Sequence, residues 1–581
     1  MQKAIKYLTR YPVIILILLV IPSFITLIRP GYFPMHDDLQ AFRIHQMHEC
    51  FKDFQLPCRW VPDMGYQYGY PQYNYYPPSV YYLGEAFHLI GFQFIDSAKI
   101  IFALGFLVSA LTMYLFLRDY LSKWAGLMGA LVYTYIPYKA VNVYVRGALN
   151  EFWALAFYPL LFWSSWKIVK EGGRKNIAFF AISTFLILIT HNLMTLIFLP
   201  ILGVWILLNV FLEKNYRSLI GIILGGILGV GLAAFFTLPV FVEQPYAHLE
   251  TLVGGYFDYR QHFVSINQLL VSNFWGYDSS VWGIDDGMSL SAGQIQVAGS
   301  IIALLFALVS FKKFRTLSII TIFLFGLELM VLFMIHQKSS PIWTFFESTL
   351  IFVQFPWRFL SLSTFLTAVL CAIGVFFIQQ VNFKIFKVRS YIVFSLVLVI
   401  SCLILYLPFF KPNKWYDITD VDKFSGISWE KQLTISIFDY LPIYAKFPPT
   451  SAAPMNPETL EGLADFKNAE KGSNFKSWTV EVSNESLLRA PIFDYPGMKV
   501  FVDGIKVDHW NDDCRNQEFC LGLVTFKVPQ GNHEILIKLT NTPIRVVGNI
   551  LTVVSLIILM VLLFPKQHNF SAIKYIKKWL R

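Results

Sequence analysis

The chain has 581 residues, of which 56% are hydrophobic, 17% aromatic and only 14% charged. A soluble protein could not bury this much apolar surface, so the composition excludes that class and indicates a protein whose solvent is the lipid bilayer. The net charge of +10 would favour nucleic acid as the partner of a soluble protein, but in a membrane protein basic residues mark one side of the bilayer. We therefore expect the bilayer, and no nucleic acid, as a partner.

Apolar runs long enough to cross the bilayer, which takes about 20 residues, recur along the chain. The first run follows a basic N-terminus and lacks a small-residue cleavage site, which predicts an uncleaved signal anchor. The segment 79–92 carries aromatic residues suited to the headgroup zone, and we predict a re-entrant or interface-lying helix there. The twelve predicted spans are 12–28, 97–117, 123–138, 150–168, 175–190, 193–211, 217–241, 296–311, 316–335, 354–380, 391–408 and 546–564.

Seven clusters of Lys and Arg fall on one side of the membrane if the chain has twelve spans and a cytoplasmic N-terminus. This is the bias that cytoplasmic loops show. We therefore expect a multi-pass protein of the cell membrane with both termini in the cytoplasm. The segments predicted to lie outside are 29–96, 139–149, 242–295, 336–353 and 409–545.

The predicted fold class is a polytopic α-helical membrane protein with a small extracytoplasmic β-sandwich near the C-terminus. Residues 1–408 form the multi-span domain with the external loop 29–96, residues 409–545 the β-rich domain, and residues 546–581 the final span and basic tail. The β-domain is predicted from period-two alternation in 478–482, 499–507 and 523–539. Hairpin signals occur at Asp503-Gly504 and Gly531-Asn532.

Four of the six cysteines form two close pairs in polar segments, Cys50 with Cys58 and Cys514 with Cys520. Such pairs indicate disulfides if their segments face an oxidising compartment. A zinc site is the alternative, although no spacing of His and Cys supports it.

The first external loop opens with His36-Asp37-Asp38 directly after the first span. Adjacent carboxylates at a membrane interface are costly unless they are hydrated, paired or used, so these residues are the leading candidates for a catalytic base or metal ligand. The alternative is structural: either aspartate could cap the helix that follows by accepting backbone N–H bonds.

Other polar and aromatic groups are predicted at the same membrane boundary. Tyr residues from Tyr66 to Tyr76 could contact a sugar or an isoprenoid chain, and an ordinary aromatic belt is the alternative. Arg146 and Glu151 are either functional or an ion pair between helices. Arginine and histidine near the surface can bind phosphate, although Arg358 could also snorkel to lipid headgroups. The candidate phosphate-binding residues are Arg146, Arg260, His262 and Arg358, and the candidate substrate-binding residues are Tyr76, Glu151, His191, Asn192 and Trp357.

These motifs together resemble a known group of bacterial membrane proteins. His36-Asp37-Asp38, the Tyr-Pro-Pro loop, Arg-Gly-Ala-x-x-Glu, Thr-His-Asn, Asp-Tyr-Arg-x-His-Phe, Asp-Gly-Met-Ser and Gln-Phe-Pro-Trp-Arg-Phe are similar to the proteins labelled 6-pyruvoyl-tetrahydropterin synthase-related. Tyr-Pro-Gly, Val-Asp-Gly and Thr-Pro near the C-terminus resemble the YfhO group. Both groups are similar in plan to the C-type glycosyltransferase superfamily, which uses lipid-phosphate-linked sugars on the outer face.

The resemblance implies an inverting membrane glycosyltransferase. A sugar would pass from a polyprenyl-phosphate donor to an envelope glycan, lipid or protein acceptor, with Asp37 or Asp38 as general base. The β-domain would recognise the acceptor. A divalent cation, Mg²⁺ or Mn²⁺, is the one cofactor left open, because the two acids are adjacent here and separated by one residue in the superfamily. The rival function is a non-catalytic scaffold or a flippase for lipid-linked sugars.

Overall fold

The computed structural model describes residues 11–281, 287–381, 384–385 and 388–564, so the basic N-terminus and the basic tail lie outside the described residues. The described helices of eight or more residues are α1 (Pro12–Val20), α2 (Gln40–Lys52), α3 (Ser79–Leu89), α4 (Phe94–Tyr120), α5 (Lys123–Thr134), α6 (Leu149–Glu171), α7 (Arg174–Leu188), α8 (Asn192–Glu213), α9 (Ser218–Leu232), α10 (Ala234–Val242), α11 (Gln294–Val309), α12 (Arg315–Ile335), α13 (Leu360–Val381), α14 (Ser390–Tyr406), α15 (Gly426–Thr434) and α16 (Pro543–Leu563).

The chain is an integral membrane protein with multiple spans. Six described helices are candidate spans, and the α9–α10 pair, which is bent by 77°, is a seventh if it is counted as one span. The multi-span helical architecture is confirmed, whereas the described residues contain six or seven candidate spans in place of the twelve predicted. The six described helices that are long and apolar enough are Phe94–Tyr120, Asn192–Glu213, Arg315–Ile335, Pro356–Val381, Ser390–Phe409 and Pro543–Leu563.

The difference arises because an apolar run does not show where a helix ends. Helices α1, α5, α7 and α11 have 9 to 16 residues, fewer than the roughly 20 that a span needs. Helix α6 has 23 residues, but it is rich in aromatic and polar side chains and most of it is buried in protein. Parity over twelve spans therefore no longer fixes which side each loop faces.

Two helices show the extremes of packing in the membrane domain. Every residue of α13 from Leu360 to Val375 is buried, so this helix is the centre of the bundle. In α16 only Arg545, Gly548, Ser555 and Leu559 are buried, and most of its other apolar side chains are exposed. Helix α3, with 11 residues and a length of about 16 Å, is too short to cross a bilayer by itself.

A buried ionic network joins α10, α16 and loop 29–96. Arg545 donates from Nε to Glu243 over 3.0 Å, and both side chains are almost fully buried. Arg59 lies beside this pair and donates to Asn549 over 3.1 Å and to the carbonyl of Phe235 over 2.9 Å. Burial of these charges is tolerated because each is hydrogen-bonded, and the network ties the last helix to the bent α9–α10 pair.

The C-terminal region is β-rich, as predicted, but it forms a near-closed antiparallel barrel instead of two facing sheets. Strand β4 is long enough to pair with β3 on one edge and with both β8 and β9 on the other. Because β8 and β9 both pair with β4, the hairpin predicted at Gly531-Asn532 is wrong. The described strands are β1 (Lys384–Ile385), β2 (Val388–Arg389), β3 (Glu458–Lys471), β4 (Phe475–Phe493), β5 (Met498–Val502), β6 (Ile505–Val507), β7 (His509–Trp510), β8 (Leu523–Val528) and β9 (Gly531–Leu539).

The hairpin predicted at Asp503-Gly504 connects β5 and β6. Both turn residues have positive φ, 51° and 78°, which the tight turn requires and which Asp and Gly tolerate. The two predicted cysteine pairs, Cys50–Cys58 and Cys514–Cys520, are disulfide-bonded, so the zinc alternative does not apply to them.

Candidate functional site

The acidic motif is held against the loop that carries Arg146. The backbone N–H of His36 donates to the carbonyl of Val145 over 3.0 Å, and that of Asp37 donates to the carbonyl of Arg146 over 2.8 Å. Helix α2 begins after Leu39, and no side chain caps it. The capping alternative for the two aspartates is therefore wrong, and the motif instead lies beside Arg146.

The two adjacent aspartates have different surroundings. Asp38 forms an ion pair with Lys423, with its Oδ2 2.8 Å from the ammonium nitrogen. Burial raises the pKa of Asp38, and the Lys423 charge opposes that rise. Asp37 is exposed, and its carboxylate forms no hydrogen bond or ion pair with another described residue. Asp37 thus has both carboxylate oxygens without a partner among the described residues, whereas Asp38 has only Oδ1 unpartnered.

Arg146 and Arg358 share the carboxylate of Glu151. Arg146 contacts both oxygens, at 2.9 and 3.0 Å, and Nε of Arg358 lies 3.4 Å from Oε2. Tyr138 also donates a hydrogen bond to Glu151. The predicted structural alternative, an ion pair between Arg146 and Glu151, is therefore present. Because two buried guanidinium groups share one carboxylate, the cluster keeps an excess of positive charge.

Trp357 forms one wall of this cluster. The guanidinium carbon of Arg146 lies 4.4 Å from the centre of the Trp357 ring, a distance typical of a cation–π contact. Arg358 is buried and donates to the carbonyl of Val353 over 2.8 Å and to Gln354 over 2.5 Å. It therefore does not snorkel to lipid headgroups.

The structure adds Arg43, which was not among the predicted site residues. Arg43 is buried on α2, donates to the hydroxyl of Tyr76 over 3.1 Å, and lies 4.2 Å above the ring of Tyr76. It has no ion pair with any described carboxylate, and its Nε has no hydrogen-bond partner there. The signal in the sequence is an arginine on the helix face formed by Gln40, Met47 and Cys50.

The segment before the barrel adds Asp439 and Tyr440. The ring of Tyr440 stacks on Tyr75 with 5.5 Å between ring centres, and its backbone N–H donates to the hydroxyl of Tyr70 over 2.6 Å. Burial raises the pKa of Asp439 to about 6, and the nearby Arg43 charge limits the rise. In the sequence, Asp439 could have been recognised as an acidic residue within an apolar stretch.

Most tyrosines of the first loop are packed inside the protein and do not form an aromatic belt. Tyr73 donates to the carbonyl of Arg43 over 2.5 Å, and Tyr75 donates to the carbonyl of Glu243 over 2.6 Å. Tyr76 is half-buried and remains beside Arg43. The loop therefore positions Arg43 and presents Tyr76 at the site.

The predicted residues of the Thr-His-Asn turn lie at different places. His191 caps α8 by accepting from the backbone N–H of Met194, and it is within electrostatic range of Glu151 and Arg358. Asn192 is exposed and has no side-chain hydrogen bond to a described residue. Asn150 ties this turn to the Tyr-Pro-Pro loop by donating to the carbonyls of Pro77 and Thr190.

Three further predicted residues lie at the edge of the site or beside it. Arg260 is exposed and pairs with Glu347 at 2.5 Å and with Asp258 at 3.3 Å. His262 is buried behind Phe355, with 4.6 Å between ring centres, and is within electrostatic range of Arg358. His36 contacts the carbonyl of Tyr277 over 2.9 Å. Of these three, only His262 adjoins the arginine cluster.

No group of three or more metal-ligating side chains occurs in the described parts of the chain. Near the acidic motif, Asp38 is already paired with Lys423. The residues present there do not fit a Mg²⁺ or Mn²⁺ site, whose cation prefers several oxygen ligands.

Part of the chain is similar to a described domain. Residues 73–253 match the family model described as 6-pyruvoyl-tetrahydropterin synthase related domain, membrane protein. An uncharacterized protein of Lactococcus lactis subsp. cremoris (strain MG1363) is 23% identical over 333 residues, which are 54% of this chain and 49% of that protein. The chain thus spans about half the length of that curated relative.

Two solved structures have a distant similarity to this chain. Arabinofuranosyltransferase AftD from Mycobacteria has a TM-score of 0.43 and 10% identity over 71% of this chain and 29% of its own. The oligosaccharyltransferase of Archaeoglobus fulgidus, tethered with an acceptor peptide, has a TM-score of 0.42 and 12% identity over 71% of this chain and 56% of its own. The chain is an integral membrane protein, and its residues 73–253 are similar to the pterin-synthase-related membrane domain.

Proposed function

We propose that the chain is a membrane glycosyltransferase that moves a sugar from a polyprenyl-phosphate donor to a hydroxyl acceptor, an envelope glycan, lipid or protein. The observation that supports this most strongly is the position of Asp37. Its free carboxylate is tied through its own backbone to the Arg146 loop, and Asp37 is within electrostatic range of Arg43, Arg146 and Arg358.

The three arginines supply the binding site for the lipid phosphate. Among the described carboxylates only Glu151 pairs with any of them, and it pairs with two. The excess positive charge favours an anion, and a guanidinium group binds phosphate through directed hydrogen bonds. Arg43 is the strongest candidate because it is the one of the three that pairs with no described carboxylate, and its buried Nε has no hydrogen-bond partner there.

The reaction would be a single displacement at the anomeric carbon. Asp37 accepts the proton of the acceptor hydroxyl as that oxygen forms the new bond to the anomeric carbon. The bond from the anomeric carbon to the phosphate oxygen breaks, and the polyprenyl phosphate leaves with its negative charge stabilised by the arginines. The anomeric configuration inverts. The residues around Asp37 suggest no metal ion for these steps.

The extracytoplasmic position of the site is part of the proposal. Two disulfides support it, because disulfides persist in oxidising compartments. Cys50–Cys58 lies in the same loop as Asp37, and Cys514–Cys520 lies in the barrel. We infer that loop 29–96 and the barrel share the outer side of the cell membrane.

Donor binding and transfer can be tested with purified protein in nanodiscs. We expect a polyprenyl-phosphate sugar to raise the melting temperature of the wild type and of Asp37→Asn, and only the wild type to transfer the sugar. A scaffold or flippase predicts that Asp37→Asn changes nothing measurable in product formation. Transfer by Asp37→Asn at the wild-type rate would refute the proposed base.

A further inference from the structure

A cavity of about 230 Å³ lies on the barrel, away from the arginine cluster. Its walls come from the first external loop, the Pro-rich segment 448–454, strands β3 and β4, and the Cys514–Cys520 loop. Its volume is below the roughly 300–1,000 Å³ of pockets for drug-sized ligands. It therefore has room for one small unit, with the rest of a longer ligand outside.

The cavity is rigidly built. The disulfide Cys514–Cys520 closes the loop on one side, and the ring of Phe519 in that loop stacks on Phe447, with 4.7 Å between ring centres. The Pro-rich segment is held by a backbone hydrogen bond from Ala453 to Tyr66 over 2.9 Å. Prolines and a short disulfide loop restrict the free protein, so less conformational entropy is lost when a ligand binds.

One wall is an ordered chain of polar groups. Arg489, which is 3% exposed, donates to Glu458 over 2.5 Å and to the carbonyl of Asp513 over 3.1 Å. Asn516 donates to the other oxygen of Glu458 over 3.1 Å. These bonds fix the groups and leave the amide oxygen of Asn516 available as an acceptor.

The rim holds unused hydrogen-bonding groups of both kinds. The side chains of Thr450, Ser451 and Glu518 line the cavity, and none of them bonds to another residue in the described part of the chain. Hydroxyls donate and accept, and a carboxylate accepts. Prolines and Leu523 supply apolar surface next to them. Polar groups of both kinds beside small apolar faces match the alternating hydroxyl and C–H surfaces of a sugar ring.

The charge of the lining selects against anions. Glu458 and Glu518 face one cation, Arg489, which is already paired with Glu458. A phosphate or a uronic acid would place a second negative charge beside an unpaired carboxylate, which costs free energy. The lining therefore favours a neutral ligand.

We propose that this cavity binds one sugar residue of a neutral glycan, as an acceptor-holding site separate from the transfer site. This inference extends the proposed function. It rests on that function only where it identifies the bound glycan as the acceptor. Tyr66, Tyr68 and Tyr70 connect the two sites: Tyr68 lines the cavity and Tyr70 bonds the segment that carries Asp439.

The test measures binding of four oligosaccharides to the full chain in nanodiscs by saturation-transfer NMR, with no donor present. The neutral probes are maltotetraose, mannotetraose and N-acetylchitotetraose, and a hyaluronan tetrasaccharide is the anionic probe. We expect saturable binding of at least one neutral probe and none of the anionic one. Loss of one ligand hydrogen bond in Asn516→Ala or Glu518→Gln should weaken binding about three- to tenfold.

Glu461→Gln is the matched control, because Glu461 is an exposed carboxylate of β3 that pairs with Arg515 and does not line the cavity. Binding that is equal in Glu518→Gln, Asn516→Ala and Glu461→Gln overturns the inference, and so does the absence of binding by every neutral probe. Preference for a proline-rich decapeptide over all glycans also overturns it. If Asp37→Asn still binds the glycan and the wild type transfers no sugar, the proposed function is refuted and the glycan-binding inference stands.

Discussion

The carboxylate of Asp38 lies 2.8 Å from the ammonium group of Lys423, 385 positions away in the chain. This pair joins loop 29–96 to the segment that leads into the barrel, and it leaves the neighbouring Asp37 with an unpaired carboxylate among the described residues. The two adjacent aspartates therefore have separable roles, one structural and one proposed as chemical.

The first prediction separates these roles. Asp37→Asn should lower the rate of sugar transfer by a factor on the order of 10² to 10⁴, because the general base is lost, with little change in melting temperature. Asp38→Asn should lower the stability by about 1.5–3 kcal/mol, because the largely buried ammonium group of Lys423 loses its ionised partner. Transfer assays and thermal unfolding of both variants measure this. Equal loss of transfer without loss of stability in Asp38→Asn would contradict the assignment.

The second prediction concerns the shared carboxylate of Glu151. Glu151→Gln leaves Arg146 and Arg358 buried without a counter-charge, which should destabilise the protein by about 3–5 kcal/mol. Glu171→Gln on the same helix is the control, because Glu171 is half exposed and pairs with Lys167 at the surface. Thermal unfolding in detergent should show a large drop for the first variant and almost none for the second.

The third prediction compares two arginines in donor binding. Arg43→Gln should weaken binding of a polyprenyl-phosphate sugar about ten- to a hundredfold, because a charge-assisted hydrogen bond to phosphate is lost. Arg260→Gln should leave binding unchanged, since Arg260 is exposed and occupied by Glu347 and Asp258. Partial recovery in Arg43→Lys would show that the charge matters and that folding is intact. The opposite ranking of Arg43 and Arg260 would refute the site.

The fourth prediction follows from the pKa of Asp439, which burial raises to about 6 from an ordinary value of 3.8. The folded state favours the protonated form, so the group contributes stability below pH 4, and this contribution is lost as the pH rises through 6. Asp439→Asn should therefore raise the melting temperature at pH 7.5 and change it little at pH 4. An equal shift at both pH values would contradict the raised pKa.

The same titration should affect the donor. Above pH 6 the ionised Asp439 faces Arg43 and opposes an incoming phosphate. Donor affinity should therefore increase as the pH falls from 7.5 to 5 in the wild type and stay constant in Asp439→Asn. A titration of nanodisc-embedded protein with donor at several pH values measures this.

The sequence identified the class of protein and most of the residues that the structure brings together in the candidate site, because apolar composition and the placement of polar motifs are local properties. His36, Asp37, Arg146, Glu151, Trp357 and Arg358 were all predicted, and the structure brings the last five together around the arginine cluster. Their convergence brings together motifs that are far apart in the sequence.

The span count, the sheet and two site residues could not be predicted for physical reasons. Apolar sequence continues past the ends of α5 and α7, so hydropathy overestimates the number of spans. Strand β3 pairs only with β4 and alternates poorly, with mostly exposed residues. The place of Arg43 on one face of α2 is visible in the sequence, but its burial comes from tertiary contacts with Tyr76 and Tyr81, which the sequence does not show. Arg260, which is as prominent in the sequence, pairs at the surface instead.

The contact between Arg545 and Glu243 has a consequence for cleavage of the chain after the barrel. A cut at Asn541 would break the covalent link between the barrel and α16, while the segment 409–457 would still connect the barrel to α14. Helix α16 would then be held beside α10 by helix packing and by the buried ion pair between Arg545 and Glu243. Glu243 would therefore keep its cationic partner after the cut.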